Sequence, residues 1–233
     1  MRTSLDATAR AFARGYPEAE VVNILDDSLS VDVEMAGNQD ERMLERFSGL
    51  GEYARRHARA DAILFTCSAF GTAIERVQRE NQDMPVLKPN AAMQLDIVSR
   101  GGTVGLLSIF GPTLASIENE LSELSRHVKP SPGLKPLVVI PRFIGGALDA
   151  LRAGDEAKCA ALIANDAINL LESKPEVSTL ALAMFSMAFA KSHVESKLAQ
   201  HMASFSARSC IPVLTSPDSA VKDVRMQLSN AAP

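Results

Sequence analysis

The sequence predicts an α/β protein made of two similar lobes with parallel sheets. Three observations carry that expectation. Short apolar, β-branched runs alternate with longer stretches of helical period, as they do when helices cover a parallel sheet. The longer stretches keep their apolar residues three and four apart. Two pairs of segments also recur in the same order in the two halves of the 233-residue chain.

Strands are expected near 21–25, 62–66, 85–87, 103–108, 137–140, 179–185 and 210–214. A helix bearing Leu5, Ala9 and Phe12, with Ser4 as its cap, begins almost at once. The first βα unit therefore opens without its apolar strand; either the start is truncated or the lobe does without it. Met43, Phe47, Leu50 and Ala54 share a helix face, as do Leu114, Ile117, Leu121 and Leu124, and Val221, Val224 and Leu228. Pro112 after Gly111, and Ser216 before Pro217, mark two further helix starts. Met84-Pro85-Val86-Leu87 is echoed by Ile211-Pro212-Val213-Leu214, and Ile63-Leu64-Phe65-Thr66-Cys67 by Leu182-Ala183-Met184-Phe185-Ser186. The best boundary is Arg100-Gly101-Gly102, which gives one lobe of residues 1–100 with 212–233, carrying Cys67, and another of residues 101–211, carrying Ser186.

Composition narrows the class. Apolar residues make up 46% and charged residues 22%, which is ordinary globular usage. The longest apolar stretch, Leu180 to Ala190, is broken by Ser186 and falls short of the ~20 residues a membrane span needs. The opening Met1-Arg2-Thr3-Ser4-Leu5 lacks the features of a secretory signal, so a cytoplasmic location is expected. Cysteines at 67, 159 and 210 have no CxxC spacing, which argues against a disulfide framework and against a metal site. A net charge of −4 gives no footprint for nucleic acid, and Arg55, Arg56 and Arg59 beside His57 read as a solvated helix face. A homodimer is the default assembly.

Chemistry is expected where strands end at their carboxyl edge, because helix N-termini present free N–H groups there. Four such turns carry hydroxyls or a thiol: Thr66-Cys67-Ser68, Ser108-Ile109-Phe110, Phe185-Ser186-Met187 and Thr215-Ser216-Pro217-Asp218. Cys67 follows an apolar strand and precedes a helix whose face is Phe70, Ala73, Ile74 and Val77. The thiolate form of a cysteine is favoured by a helix N-terminus, although most free cysteines are small buried hydrophobes. Cys159, in line with Ile163 and Ala167, and Cys210, at the start of a strand, read as core residues. Lys88 follows a strand and reads either as a solvated lysine or as a partner for a second substrate carboxylate.

The segment Asp61-Ala62-Ile63-Leu64-Phe65-Thr66-Cys67-Ser68-Ala69-Phe70-Gly71 resembles the first cysteine motif of the aspartate/glutamate/hydantoin racemase superfamily. Val22-Asn23-Ile24-Leu25-Asp26-Asp27-Ser28, Pro85-Val86-Leu87-Lys88-Pro89-Asn90 and Val213-Leu214-Thr215-Ser216-Pro217 extend the likeness over nearly the whole chain. The resemblance implies two flavodoxin-like lobes related by a pseudo-twofold axis, an active site between them, and no cofactor. It also implies one proton-handling cysteine per lobe, yet the second-lobe turn offers Ser186 and no cysteine. A serine hydroxyl without an adjacent base is a poor acid for carbon-bound protons, and His193 lies about two helical turns away from it.

The expectation is a cofactor-independent enzyme of racemase or isomerase type acting on an amino acid or another small carboxylate. Cys67 and Ser186 are its candidate catalytic residues. Ser68, the Ala69 and Phe70 amides, Thr215 and Ser216 would hold the substrate carboxylate, and Thr66, Ser108, Phe110 and Phe185 would line the pocket. Two alternatives stay open. One is single-thiol chemistry resembling arylmalonate decarboxylase or maleate isomerase; the other is a homologue that binds a small acid without turning it over.

Overall fold

In the computed structural model residues 2–128, 132–202 and 211–231 are described. Cys210, expected to open a strand, lies outside them. The chain forms two compact units, residues 1–92 with 220–233 and residues 93–219.

The second unit holds a four-stranded parallel sheet in the order β4-β3-β5-β6, built from β3 (Thr103–Ser108), β4 (Val138–Phe143), β5 (Val177–Leu182) and β6 (Val213–Thr215). Val104, Leu106, Leu107, Leu180, Ala181 and Leu182 are all fully buried, which is why β3 and β5 read as near-continuous apolar runs. Helix α6 (Gly111–His127) places Leu114, Ile117 and Leu121 on one side of this sheet. The other side is covered by α7 (Ala147–Arg152), α8 (Glu156–Ser173) and α9 (Lys191–Met202), with Cys159, Ile163, Ala167, Val194 and Leu198 in the core. Asp155 caps α8 by accepting from the Lys158 N–H at 2.9 Å.

β4 is an edge strand. Val138 and Ile144 donate to Gly102 and Ser108 of the β3 segment, so alternate residues turn their backbone toward β3 and Pro141 turns its own outward. Proline is tolerated at that place because it has no N–H to offer a further strand.

The first unit contains α1 (Arg2–Gly15), α2 (Leu29–Ala36), α3 (Glu41–Arg56), β1 (Ile63–Leu64), α4 (Gly71–Glu80) and β2 (Val86–Leu87). β1 and β2 form a two-stranded parallel sheet. Helix α5 (Ala91–Arg100) carries the chain into the second unit, and α10 (Ser216–Ala231) carries it back. α5 ends at Gly101 and Gly102, whose φ values of 57° and 72° lie in the left-handed region where glycine is the unstrained choice. The core of the first unit is Met43, Phe47, Phe70, Ala73, Ile74, Val77 and Val86.

Two expectations are corrected. Ser4 does not cap the first helix; it sits inside α1, buried, and its carbonyl accepts from the Thr8 hydroxyl at 2.7 Å. Residues 21–25 form no strand, and Val21, Val22, Ile24 and Leu25 are exposed. A strand is stable only beside another, and among the described residues none runs alongside this segment. The unpaired edge of β1 belongs to the same picture. Ile63 and Phe65 donate to Pro85 and Leu87, which leaves the Leu64 backbone facing away from β2.

No helix among the described residues is long and apolar enough to cross a membrane.

Candidate active site

The turn after β1 is shaped by aromatic packing. Phe65 and Phe70, on either side of Cys67, both lie against Phe47 of α3, with ring centroids 5.5 and 5.0 Å apart. Phe47 and Phe70 are buried, so residues 66–69 are pinned at both ends and the loop between them faces outward. Cys67 and Ser68 are exposed and Thr66 is half-buried.

Cys67 does not stand at the start of an α-helix, as expected, but before a single 3-10 turn, Ser68–Phe70, after which α4 begins. Its backbone is extended there (φ −126°, ψ 121°) and no side chain caps the turn. The expected apolar face of Phe70, Ala73, Ile74 and Val77 is buried. The Gln39 side-chain Oε1 accepts from the Ala73 N–H at 3.2 Å, which satisfies one of the free donors of α4. Lys88, at the end of β2, is paired with Glu75 at 2.6 Å. The hydrogen bond and charge of Lys88 hold the Glu75 carboxyl below its ordinary value.

In the second unit, three polar turns leave the carboxyl ends of adjacent strands. Leu107 of β3 is level with Leu182 of β5, and Leu182 is level with Thr215 of β6. Neighbouring strands lie about 4.8 Å apart, so the turns issue side by side. At the first, the fully buried Ser108 hydroxyl donates to the Phe110 carbonyl at 2.9 Å and accepts from the Phe110 N–H at 3.1 Å. That hydroxyl closes its own turn, while the Phe110 ring is exposed at the start of α6.

At the second turn, Phe185 and Ser186 open a 3-10 stretch, Phe185–Ala190, that leads into α9, and both are buried. At the third, Thr215 is fully buried. Its hydroxyl donates to the Asp218 carboxylate at 2.9 Å and accepts from the Asp218 N–H at 3.4 Å. Ser216, also buried, makes a weak contact to the Met93 sulfur at 3.6 Å.

Each hydroxyl has one proton to give. The protons of Ser108 and Thr215 are already committed within the protein, whereas the Ser186 hydroxyl makes no hydrogen bond among the described residues.

Two charged residues join this edge without having been singled out in the sequence. Lys191, the first residue of α9, holds Asp218 at 2.8 Å, and Asp218 lies in the first turn of α10. Asp218 was visible as part of a polar turn; nothing in the spacing connected it to Lys191, 27 residues away. The His193 Nε2 is buried with no partner among the described residues. Cys159 is fully buried, and desolvation raises its thiol pKa, as a core role requires. Among the described residues no group of three or more His, Cys, Asp or Glu side chains is placed to hold a metal ion.

No protein-family model matches the sequence, and no curated protein is similar to it in sequence. Solved structures are similar over almost the whole chain. An allantoin racemase from Klebsiella pneumoniae superposes with a TM-score of 0.62 at 14% identity, covering 98% of this chain and 83% of that one. An aspartate racemase homologue from Pyrococcus horikoshii gives 0.57 at 14% identity, covering 98% of this chain and 95% of that one. The chain has the fold of these solved racemase structures. A liganded variant of arylmalonate decarboxylase is also similar in fold, with a TM-score of 0.51 at 17% identity, covering 96% of this chain and 88% of that one.

Proposed function

We propose that this protein is a cofactor-independent enzyme of racemase or isomerase type that moves a proton at the carbon next to a carboxylate, with Cys67 as the proton-handling group. The observation that carries the reading is the exposed Cys67 thiol, held outward by the Phe47, Phe65 and Phe70 cluster at a strand's carboxyl end, on a racemase superfamily fold. In the proton-abstraction step the Cys67 thiolate takes hydrogen from the α-carbon. The C–H bond breaks, an S–H bond forms, and the electron pair moves into an enediolate. Returning the proton to carbon restores the thiolate. The N–H groups of Ser68 and Ala69, at the open end of the turn beside Cys67, are the donors suited to the developing negative charge.

A second reading is favoured by Ser186, which stands where the repeat would put a second thiol. With one thiol, decarboxylation of a malonate-like acid is consistent. The C–C bond to the departing carboxylate breaks, its electron pair forms the enediolate as CO2 leaves, and Cys67 protonates the carbon before solvent reprotonates the sulfur.

Both readings are tested by proton NMR in deuterated water with a panel of amino acids, hydantoins and substituted malonates. Deuterium incorporation at the α-carbon, or CO2 release, is expected in the wild type. Cys67→Ser is expected to lower it at least ~100-fold, since a positioned acid or base contributes about 10²–10⁴. Exchange undiminished in Cys67→Ser rules the thiol out. No turnover of any acid leaves a binding homologue as the reading.

A further inference from the structure

The two units repeat one order of elements. After β3 the second unit runs α6, β4, the short α7, the long α8, β5, a 3-10 stretch, α9 and β6, and α10 then leaves it. The first unit runs α1, residues 21–25, the short α2, the long α3, β1, a 3-10 turn, α4 and β2, and α5 then leaves it. Residues 21–25 thus stand at the place of β4, and among the described residues β3 alone has no counterpart. In the second unit β3 is an inner strand, hydrogen-bonded in parallel to β4 on one side and to β5 on the other. The counterparts of those two neighbours are the segments left unpaired in the first unit. β1 pairs with β2 as β5 pairs with β6, but the Leu64 backbone on its other side makes no hydrogen bond among the described residues. Val21 to Leu25 make no backbone hydrogen bond either, and their four apolar side chains are 38–59% exposed. Arg46 of α3 pairs with Asp26, directly after Leu25, and so ties this segment into the unit.

We propose that the first unit binds an apolar, extended segment of another polypeptide as a parallel strand between residues 21–25 and β1, the place that β3 fills in the second unit. Main-chain hydrogen bonds to both flanks would hold the segment, and its side chains would meet apolar surface, as in other cases where a peptide adds a strand to a sheet. β3 shows the chemistry required: Thr103-Val104-Gly105-Leu106-Leu107-Ser108, buried from Val104 onward. Six residues covered to that extent bury ~800 Å² on their own side, about one partner's share of a stable interface. The docking is independent of the thiol chemistry, which needs no added strand.

The test supplies such a strand as a peptide carrying the Thr103–Ser108 sequence between two added lysines. A control peptide carries Leu106→Pro, which removes a ladder N–H. Both tyrosines lie in the first unit, so tyrosine fluorescence follows its unfolding in urea. With the peptide at tenfold its dissociation constant, the midpoint should rise by about 0.7 M. Amide exchange at Leu64 and at alternate residues of 21–25 should slow at least ~tenfold. The control peptide should do neither. Asn23→Pro combined with Ile24→Pro takes an N–H of each parity from a segment that makes no backbone hydrogen bond, so circular dichroism should be unchanged while the response to the peptide is lost. No midpoint shift with the wild type at about 1 mM peptide overturns the proposal, as does an equal shift with the control peptide or in the proline variant. Sedimentation equilibrium covers the other occupant. A wild-type dimer that the proline variant dissolves and the peptide does not displace would assign the edge to a second copy of this chain, and would overturn the proposal as well.

Discussion

Replacing Phe47 by alanine should unfold the first unit selectively and silence the Cys67 turn before it does so. Phe47 is 3% exposed and its ring lies against both Phe65 and Phe70. Deleting a buried phenylalanine side chain costs about 3–5 kcal/mol, including the two ring pairs. With a urea dependence of about 2 kcal/mol per molar, the unfolding midpoint should fall by ~1.5–2.5 M. The sequence supplies a clean probe. It has no tryptophan and two tyrosines, Tyr16 and Tyr53, both in the first unit. Tyrosine fluorescence therefore reports that unit, while far-UV circular dichroism reports both. The tyrosine transition should move and a later part of the dichroism transition should stay. Without urea, α-proton exchange should fall by about 100-fold although no chemical group has been removed, because a misplacement of ~1 Å at a reacting group has that effect. An unmoved tyrosine transition, or full exchange activity in the variant, would refute the claim that this ring positions the turn.

Other expectations follow from single contacts. Gly105→Ala should destabilise the second unit by about 1–3 kcal/mol, since its new methyl would lie 2.6 Å from Leu170 Cδ2 and 2.9 Å from Leu180 Cδ2 in a filled core; thermal unfolding by circular dichroism measures this. Asp155→Ala removes the cap of α8 and should cost ~1 kcal/mol in the same assay. Acid should weaken the first unit. Glu75 and Asp83 are held below their ordinary values by hydrogen bonds from Lys88 and Arg55. For Asp26 and Glu80 burial pulls upward, but hydrogen bonds from Arg46 with Ser28, and from Ser48 with Arg76, outweigh it and the net direction is again down. Groups depressed in the folded state stabilise it above their unfolded values, near pH 4, and lose that contribution as pH falls through the folded ones. The tyrosine-reported midpoint should therefore drop on acidification below about pH 4, and a midpoint that is flat across that range would contradict the ion-pair assignments.

What the sequence made legible was burial. The apolar runs at 103–108, 137–140 and 179–185 became strands because each has a neighbour, and the faces Met43, Phe47, Ala54 and Leu114, Ile117, Leu121 went to the core. Residues 21–25 carry the same signature and failed, since apolar patterning records a wish to be covered and says nothing of whether a hydrogen-bonding partner lies alongside. The turns of the candidate site were found because strand ends are marked by small polar residues. The commitments of their hydroxyls were not, because which oxygen Thr215 or Ser108 faces depends on one rotamer. Lys191 was missed for a related reason: an ion pair across 27 residues leaves no periodic trace.

Pro141 has a consequence for how this protein behaves in a crowded solution. With the proline ring on the outer side of β4, that edge of the larger sheet is guarded against recruitment of foreign chains. The smaller one has no such guard: among the described residues no strand pairs with the far side of Leu64, and apolar residues at 21–25 of the same unit are exposed. Self-association, when it comes, should start from the amino-terminal half, and a lysine placed at Val22 should delay it.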